Sequence, residues 1–435
     1  MFTIRSLGAA VLSTVLAMPT HASPGWQASW YAAPQPAWSP GFALATNVPA
    51  TVAGSTVREV LRLSTGGGNV RVVLSNRYGS EPLVVGAVRI ARTAGEPGAT
   101  SAIDTASDRA LTFASRTEVT IPPGGTATSD PVGFPVAALE RLTVSAWYPG
   151  TARLASFHWG AQQTGYIAPG NATAAARLDA AQHLQGRAFL AAVHVDGQGG
   201  TIVALGDSIT DGNGSTPDRH RRWPDMLAER LAPQGIAVAN AGISGARLLS
   251  SKMGVKAIER FDADVLDQPG VAAVVVLLGT NDIGWPGTAF APQDPPMTAE
   301  RLVDGYRALI ARAHARGVQV IGGTLPPFGN ALPGTPFAGY WTLAKETVRL
   351  EVNAWIRGSG EFDAVADFDA ALRDPADASR LRPEYDSGDH LHPGDAGFAA
   401  MARTVAGLAA MQAWHHAVDL GRQDRSIPSR SLPAR

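Results

Sequence analysis

Four short stretches carry side chains that could do chemistry together. In "ALGDSITDG" (204–212) an apolar run stops at Gly206-Asp207-Ser208 and presents a hydroxyl, and in "GDHLHPGD" (388–395) Asp389 precedes His392 by three residues. A serine hydroxyl is a weak nucleophile until a base takes its proton, and imidazole is the side chain whose ordinary pKa suits that task near neutrality. An aspartate three residues before a histidine in a turn can hold Nδ1 and leave Nε2 for the serine. His390 adjoins Asp389 and is expected to point elsewhere, which makes His392 the candidate base. Attack on a carbonyl also puts negative charge on its oxygen, and a missing donor there forfeits roughly 3 kcal/mol. "NAGISGARLL" (240–249) offers the backbone N–H of Gly245, and "GTNDIG" (279–284) offers the amide of Asn281. Nucleophile, base, orienter and two donors together describe acyl transfer.

These residues are useful only if distant loops meet. Strand-like runs at 201–205, 236–243, 271–279, 317–323 and 364–368 alternate with helical segments. The clearest helix spans 298–316: Thr298 can cap it, Leu302, Val303, Tyr306, Leu309, Ile310 and Ala313 form its apolar stripe, and Gly317 stops it. Nearly continuous apolar strands alternating with helices predict a parallel sheet covered on both faces. Ligands of such sheets bind beyond the carboxyl ends of the strands. Ser208 follows the first strand, Gly245 the second, Asn281 the third, and Asp389 with His392 the last, so all five fall at one edge.

The first half reads differently. Runs at 57–64, 69–76, 83–91 and 141–150 are rich in β-branched residues and are separated by "TGGG", "YGSEP" and "PPGG", the pattern of an antiparallel β-sandwich or jelly roll. Trp26, Trp30, Trp38, Trp147 and Trp159 fall here and are expected chiefly to fill its core. Residues 1–22 combine Arg5, an apolar stretch and a small-residue cleavage site, the pattern of an export signal. The organisation expected is therefore a signal peptide (1–22), a β-rich domain (23–195), an α/β domain (196–418) and a disordered polar tail (419–435). With 36 Lys and Arg against 37 Asp and Glu, the chain has no overall field to attract nucleic acid, and no run long enough for stable membrane insertion. Cysteine is absent, which removes thiol nucleophiles and disulfides, and no metal-binding spacing accompanies the histidines.

The rival serine scaffold requires G-x-S-x-G at a strand-to-helix elbow, whereas Ser208 stands in Gly206-Asp207-Ser208-Ile209-Thr210. The four stretches, in this order over about residues 201–410, resemble the motif blocks of the SGNH or GDSL esterases and lipases. That resemblance implies a flavodoxin-like α/β/α fold, Ser208 as nucleophile, Asp389 and His392 completing a triad, Gly245 and Asn281 as oxyanion donors with the Ser208 amide, and no metal or other cofactor. Members often carry an acidic residue after the second-block glycine, where this chain has Ala246-Arg247. The β-rich half also resembles the N-terminal region of a secreted subgroup. The activity expected is a secreted esterase acting on a small-molecule or polysaccharide ester, short-chain or O-acetyl, with Trp285 lining the substrate pocket. An acyltransferase using the same acyl-enzyme and a noncatalytic glycan-binding protein are the other two readings, and nothing in the residues bears on oligomeric state.

Overall fold

A computed structural model describes residues 25–408 except 39–41, 43, 47 and 180. The expected export signal and the tail from 419 lie outside the described residues, and no helix among those described is long and apolar enough to cross a membrane.

The β-rich half is built from two main antiparallel sheets. One orders Trp26–Tyr31, Leu190–Asp196, Gly67–Ser75 and Val132–Val136, with Thr126–Thr128 also pairing on Gly67–Ser75. The other orders Gln182–Leu184, Gly165–Pro169, Ser55–Arg62, Arg141–Tyr148, Ala87–Arg92 and Arg109–Ala110. Val57, Leu61, Val88, Ile90, Leu142 and Val144 from one sheet and Val70, Val72, Leu74 and Val193 from the other share one apolar core. Burial of such side chains contributes about 1.5–3 kcal/mol each. The expected continuous strand at 83–91 is broken at Gly86, where a Cβ would stand 2.6 Å from the ring of Trp147. Leu83–Val85 instead pairs with Val119–Ile121, and Ala87–Arg92 with Arg141–Tyr148. The tryptophans also depart from expectation. Of these five only Trp30 is buried, whereas Trp38 and Trp159 are half-buried and pack against the cores of both halves.

The second half is a five-stranded parallel sheet ordered Ala237–Gly242, Thr201–Gly206, Val271–Leu277, Gln319–Gly323, Ala364–Ala366. In chain order this is 2-1-3-4-5, the flavodoxin-like arrangement, with its switch point between the first and third strands. Thr201–Gly206 is buried at every residue because it has a partner strand on each side and helices on both faces. In register, Gly206 lies opposite Gly242 and Leu277, so the loops after these three strands leave the sheet at one level. The helix expected at 298–316 spans Ala299–His314. Thr298 Oγ1 accepts from the Arg301 amide at its start, and Gly317 just beyond has φ +67°.

The two halves are joined through polar groups as well as apolar ones. Ala28, Tyr31, Ala33 and Ala192 belong to the core of the parallel-sheet half. Gln27 Nε2 donates to the carbonyl of Gly200, the Val238 amide donates to Ser64 Oγ, and the buried carboxylate of Asp264 takes hydrogen bonds from Tyr31, Arg77 and Arg260.

Candidate active site

Ser208 opens a one-turn helix, Ser208–Asp211, directly after the first parallel strand. Asp207 caps that turn, its Oδ1 accepting from the Ile209 amide at 3.0 Å. The second oxygen of Asp207 is buried without a partner among the described residues, and burial, opposed by the Ile209 amide, pushes its pKa up to about 7. Ser208 itself is 7% exposed.

The turn between Asp386 and Pro393 brings the candidate base to it. His392 Nε2 stands 2.7 Å from Ser208 Oγ, and His392 Nδ1 stands 2.6 Å from Asp389 Oδ2. A carboxylate can only accept, so Nδ1 carries the proton and Nε2 is left to accept from the serine hydroxyl. Asp389 Oδ1 accepts from the amides of Leu391 and His392, which winds the turn around the carboxylate. Burial would raise the Asp389 pKa, but the hydrogen bond and charge of His392 and these two amides outweigh it and hold the carboxyl well below the usual range. His390 takes a separate path. It has φ +61°, its side chain is 41% exposed, and its Nδ1 meets Asp386 Oδ2 at 2.5 Å. The helix after this turn begins at Asp395, with Gly394 at its boundary.

Gly245 and Asn281 come from the loops after the second and third strands. Gly245 has φ +73°, and a Cβ there would stand 2.2 Å from Met253 Sδ and 2.9 Å from the Trp285 ring, so only glycine fits. The amides of Ser208 and Gly245 are given to no protein acceptor among the described residues. Asn281 Oδ1 accepts from the indole N–H of Trp285 at 2.9 Å and from the Tyr340 hydroxyl at 2.7 Å. An indole N–H can only donate, so the Asn281 side chain has one orientation, with Nδ2 on the opposite side. One Nδ2 hydrogen goes to the Ala246 carbonyl at 3.0 Å, leaving the other free. Asp282 ties the same two loops together by accepting from the Leu248 and Leu249 amides, and its burial, opposed by those amides, raises its pKa to about 6.

Trp285 requires a correction. It is 1% exposed, stacks on Phe290 with centroids 4.5 Å apart, and lies 4.9 Å from the Arg247 guanidinium. Its ring therefore supports Asn281 and Gly245 from behind and is not offered to a pocket. Arg247, where the resembled family often has an acid, pairs with Asp294 at 2.6 Å. Tyr340 was not anticipated. It lies 59 residues beyond Asn281 in a loop with no motif, so no local pattern could reveal it. Burial and the carboxylates of Asp207, Asp282 and Asp389 push its pKa well above the ordinary phenol value, which keeps its proton available for Asn281.

A flavodoxin-like sheet presenting this serine, glycine, asparagine and histidine in order defines an SGNH-type ester hydrolase. Residues 204–400 match the model of the GDSL-like Lipase/Acylhydrolase family. A GDSL lipase of Mycobacterium tuberculosis is 28% identical over 218 residues, covering 48% of this chain and 82% of that protein. Among solved structures, a GDSL-like lipase of Bacteroides thetaiotaomicron is 18% identical, covering 50% of this chain and 89% of that one with a TM-score of 0.36. An acetyl xylan esterase is 19% identical, covering 47% and 97% with a TM-score of 0.35.

Proposed function

We propose that the protein is a secreted serine esterase that hydrolyses short-chain carboxylic esters, including O-acetyl groups on carbohydrate, through an acyl-enzyme on Ser208. The observation that carries this reading is the continuous chain from Asp389 through His392 to the Ser208 hydroxyl, at 2.6 and 2.7 Å. In the first half-reaction Ser208 Oγ attacks the ester carbonyl, its proton passes to His392 Nε2, and the tetrahedral oxygen is received by the amides of Ser208 and Gly245 and by the free Nδ2 hydrogen of Asn281. His392 returns the proton to the leaving alcohol. Water then repeats the sequence on the acyl-enzyme, releasing the acid and restoring the serine. Asp389 stays ionised throughout and steadies the imidazolium that forms at each attack.

The short-chain reading follows from the sequence, in which no long apolar lid-like segment flanks the four catalytic stretches. Secretion rests on the sequence of residues 1–22. The test is hydrolysis of p-nitrophenyl acetate, butyrate and palmitate, and acetate release from acetylated xylan, by the chain from residue 23 onward. We expect kcat/KM to be highest for acetate, and Ser208→Ala to lose at least about 10^4-fold in kcat while melting like wild type. Retained turnover in Ser208→Ala would sink the assignment, and a palmitate preference would sink the short-chain reading.

A further inference from the structure

The loop that carries Gly245 is gripped from both sides by the β-rich half. His158, at the end of the strand Ser156–His158, is buried, with Nδ1 3.0 Å from the Ala33 carbonyl and Nε2 2.9 Å from Asp211 Oδ1. The other oxygen of Asp211 accepts from the Ser244 amide at 2.9 Å and from the Ser244 hydroxyl at 2.6 Å. Ser244 immediately precedes Gly245. On the far side of the loop, Gln35 Nε2 and Trp38 Nε1 both donate to the Met253 carbonyl, at 2.6 and 2.7 Å, and it is the sulfur of Met253 that closes the space beside Gly245.

The hydrogen accounting shows what His158 does. A carbonyl only accepts, so Nδ1 must carry a proton, and the contact with Asp211 then shares one further proton between Nε2 and the carboxyl. Both side chains of that contact are buried, and a buried charged or polar group left without its partner costs more than the bond itself contributes. Asp211 is thus held in place by a residue of the other half. The Gly245 N–H lies in the planar peptide unit that begins at Ser244, so whatever fixes Ser244 aims that N–H.

We propose that His158 is a positioning residue for ester hydrolysis, acting through Asp211 and Ser244 on the direction of the Gly245 amide, so that the β-rich half is a working part of the oxyanion site. The inference rests on the serine-esterase reading above. It assigns His158 no contact with substrate and no proton transfer to it.

The two ring nitrogens can be tested separately. His158→Asn keeps a donor near the Nδ1 position and loses the one toward Asp211, whereas His158→Gln keeps a donor near the Nε2 position. With p-nitrophenyl acetate we expect kcat to fall about 30-fold in His158→Asn and no more than about 4-fold in His158→Gln, with KM within twofold of wild type in both. Inhibition by phenylboronic acid, whose tetrahedral serine adduct places an oxygen where the reaction does, should weaken in the same ratio as kcat/KM. Ser244→Ala, which removes one hydroxyl and no hydrogen bond between the halves, should lose about 5-fold in kcat and keeps the idea testable if His158→Asn does not fold. Equal losses in the Asn and Gln variants, wild-type kcat in Ser244→Ala, or a change confined to KM would each overturn the proposal. Ser208→Ala is assayed beside them. If it is inactive while His158→Asn retains full kcat, only the positioning role fails, and if it is active the esterase reading itself fails.

Discussion

The turn at 386–393 and the junction between the two halves each hold a histidine against an aspartate, and the two pairs differ in what the second ring nitrogen meets. His392 sets Nδ1 on Asp389 and Nε2 on the Ser208 hydroxyl, a group that can give up a proton. His158 sets Nε2 on Asp211 and Nδ1 on the Ala33 carbonyl, a group that can only accept. The same two side chains therefore leave one ring nitrogen facing a hydroxyl in one region and set both ring nitrogens against oxygen acceptors in the other. Burial separates them as well: the His158–Asp211 contact is closed, with side chains 4% and 0% exposed, while those of His392 and Asp389 are 12% and 36% exposed.

The largest test of this contrast is Asp389→Asn. The amide can present an N–H to Nδ1 and favour the wrong tautomer, so kcat should fall about 10^3-fold with KM little changed. A loss under about tenfold would leave the Asp389 pair with a positioning role only, and the comparison would collapse. Tyr340→Phe removes one of the two donors that orient Asn281 without touching Ser208 or His392. Steady-state kinetics should show kcat reduced by about 5- to 10-fold, the scale of a supporting contact and well short of losing an oxyanion donor.

A smaller effect belongs to Asp207, whose buried carboxyl has a pKa raised to about 7. Between its ordinary unfolded value of about 4 and pH 7 the folded protein holds a proton that the unfolded chain releases, so this group makes stability fall as pH rises through that window and then level off. Asp207→Asn has no such proton and can still cap Ile209. Its melting temperature should therefore gain a few degrees on wild type between pH 4.5 and pH 7.5, measured by thermal unfolding at both. An unchanged gap would mean that Asp207 titrates alike in both states. The smallest effect is expected of the third pair, His390 with Asp386. It shares the turn with His392 but lies on the outside, and His390→Ala should alter kcat by less than twofold.

Much of the α/β half was legible because its signals are local. Thr298, the apolar stripe from Leu302 to Ala313 and Gly317 lie close enough in sequence to dictate one helix, and five apolar runs predicted the five parallel strands within a few residues. The β-rich half was less legible. Whether a run at 83–91 is one strand or two depends on Trp147, about sixty residues away, whose ring occupies the space over Gly86. The environment of Trp285 was not legible for a related reason: its distance from Asn281 in sequence places it near the site but does not say which of its surfaces Phe290 and Arg247 cover.

Residue type and order by themselves determined which chemistry the chain could attempt: a hydroxyl, an imidazole with an acid three residues before it, a glycine and an amide, each placed where a parallel strand ends. Tertiary structure alone decided which atoms touch. The 2.7 Å contact between Ser208 and His392 joins residues 184 apart, and the contact of His158 with Asp211 joins opposite halves of the molecule. Helical and extended periodicity arise from neighbours along the backbone, whereas aiming a hydrogen bond requires packing that spans the whole fold.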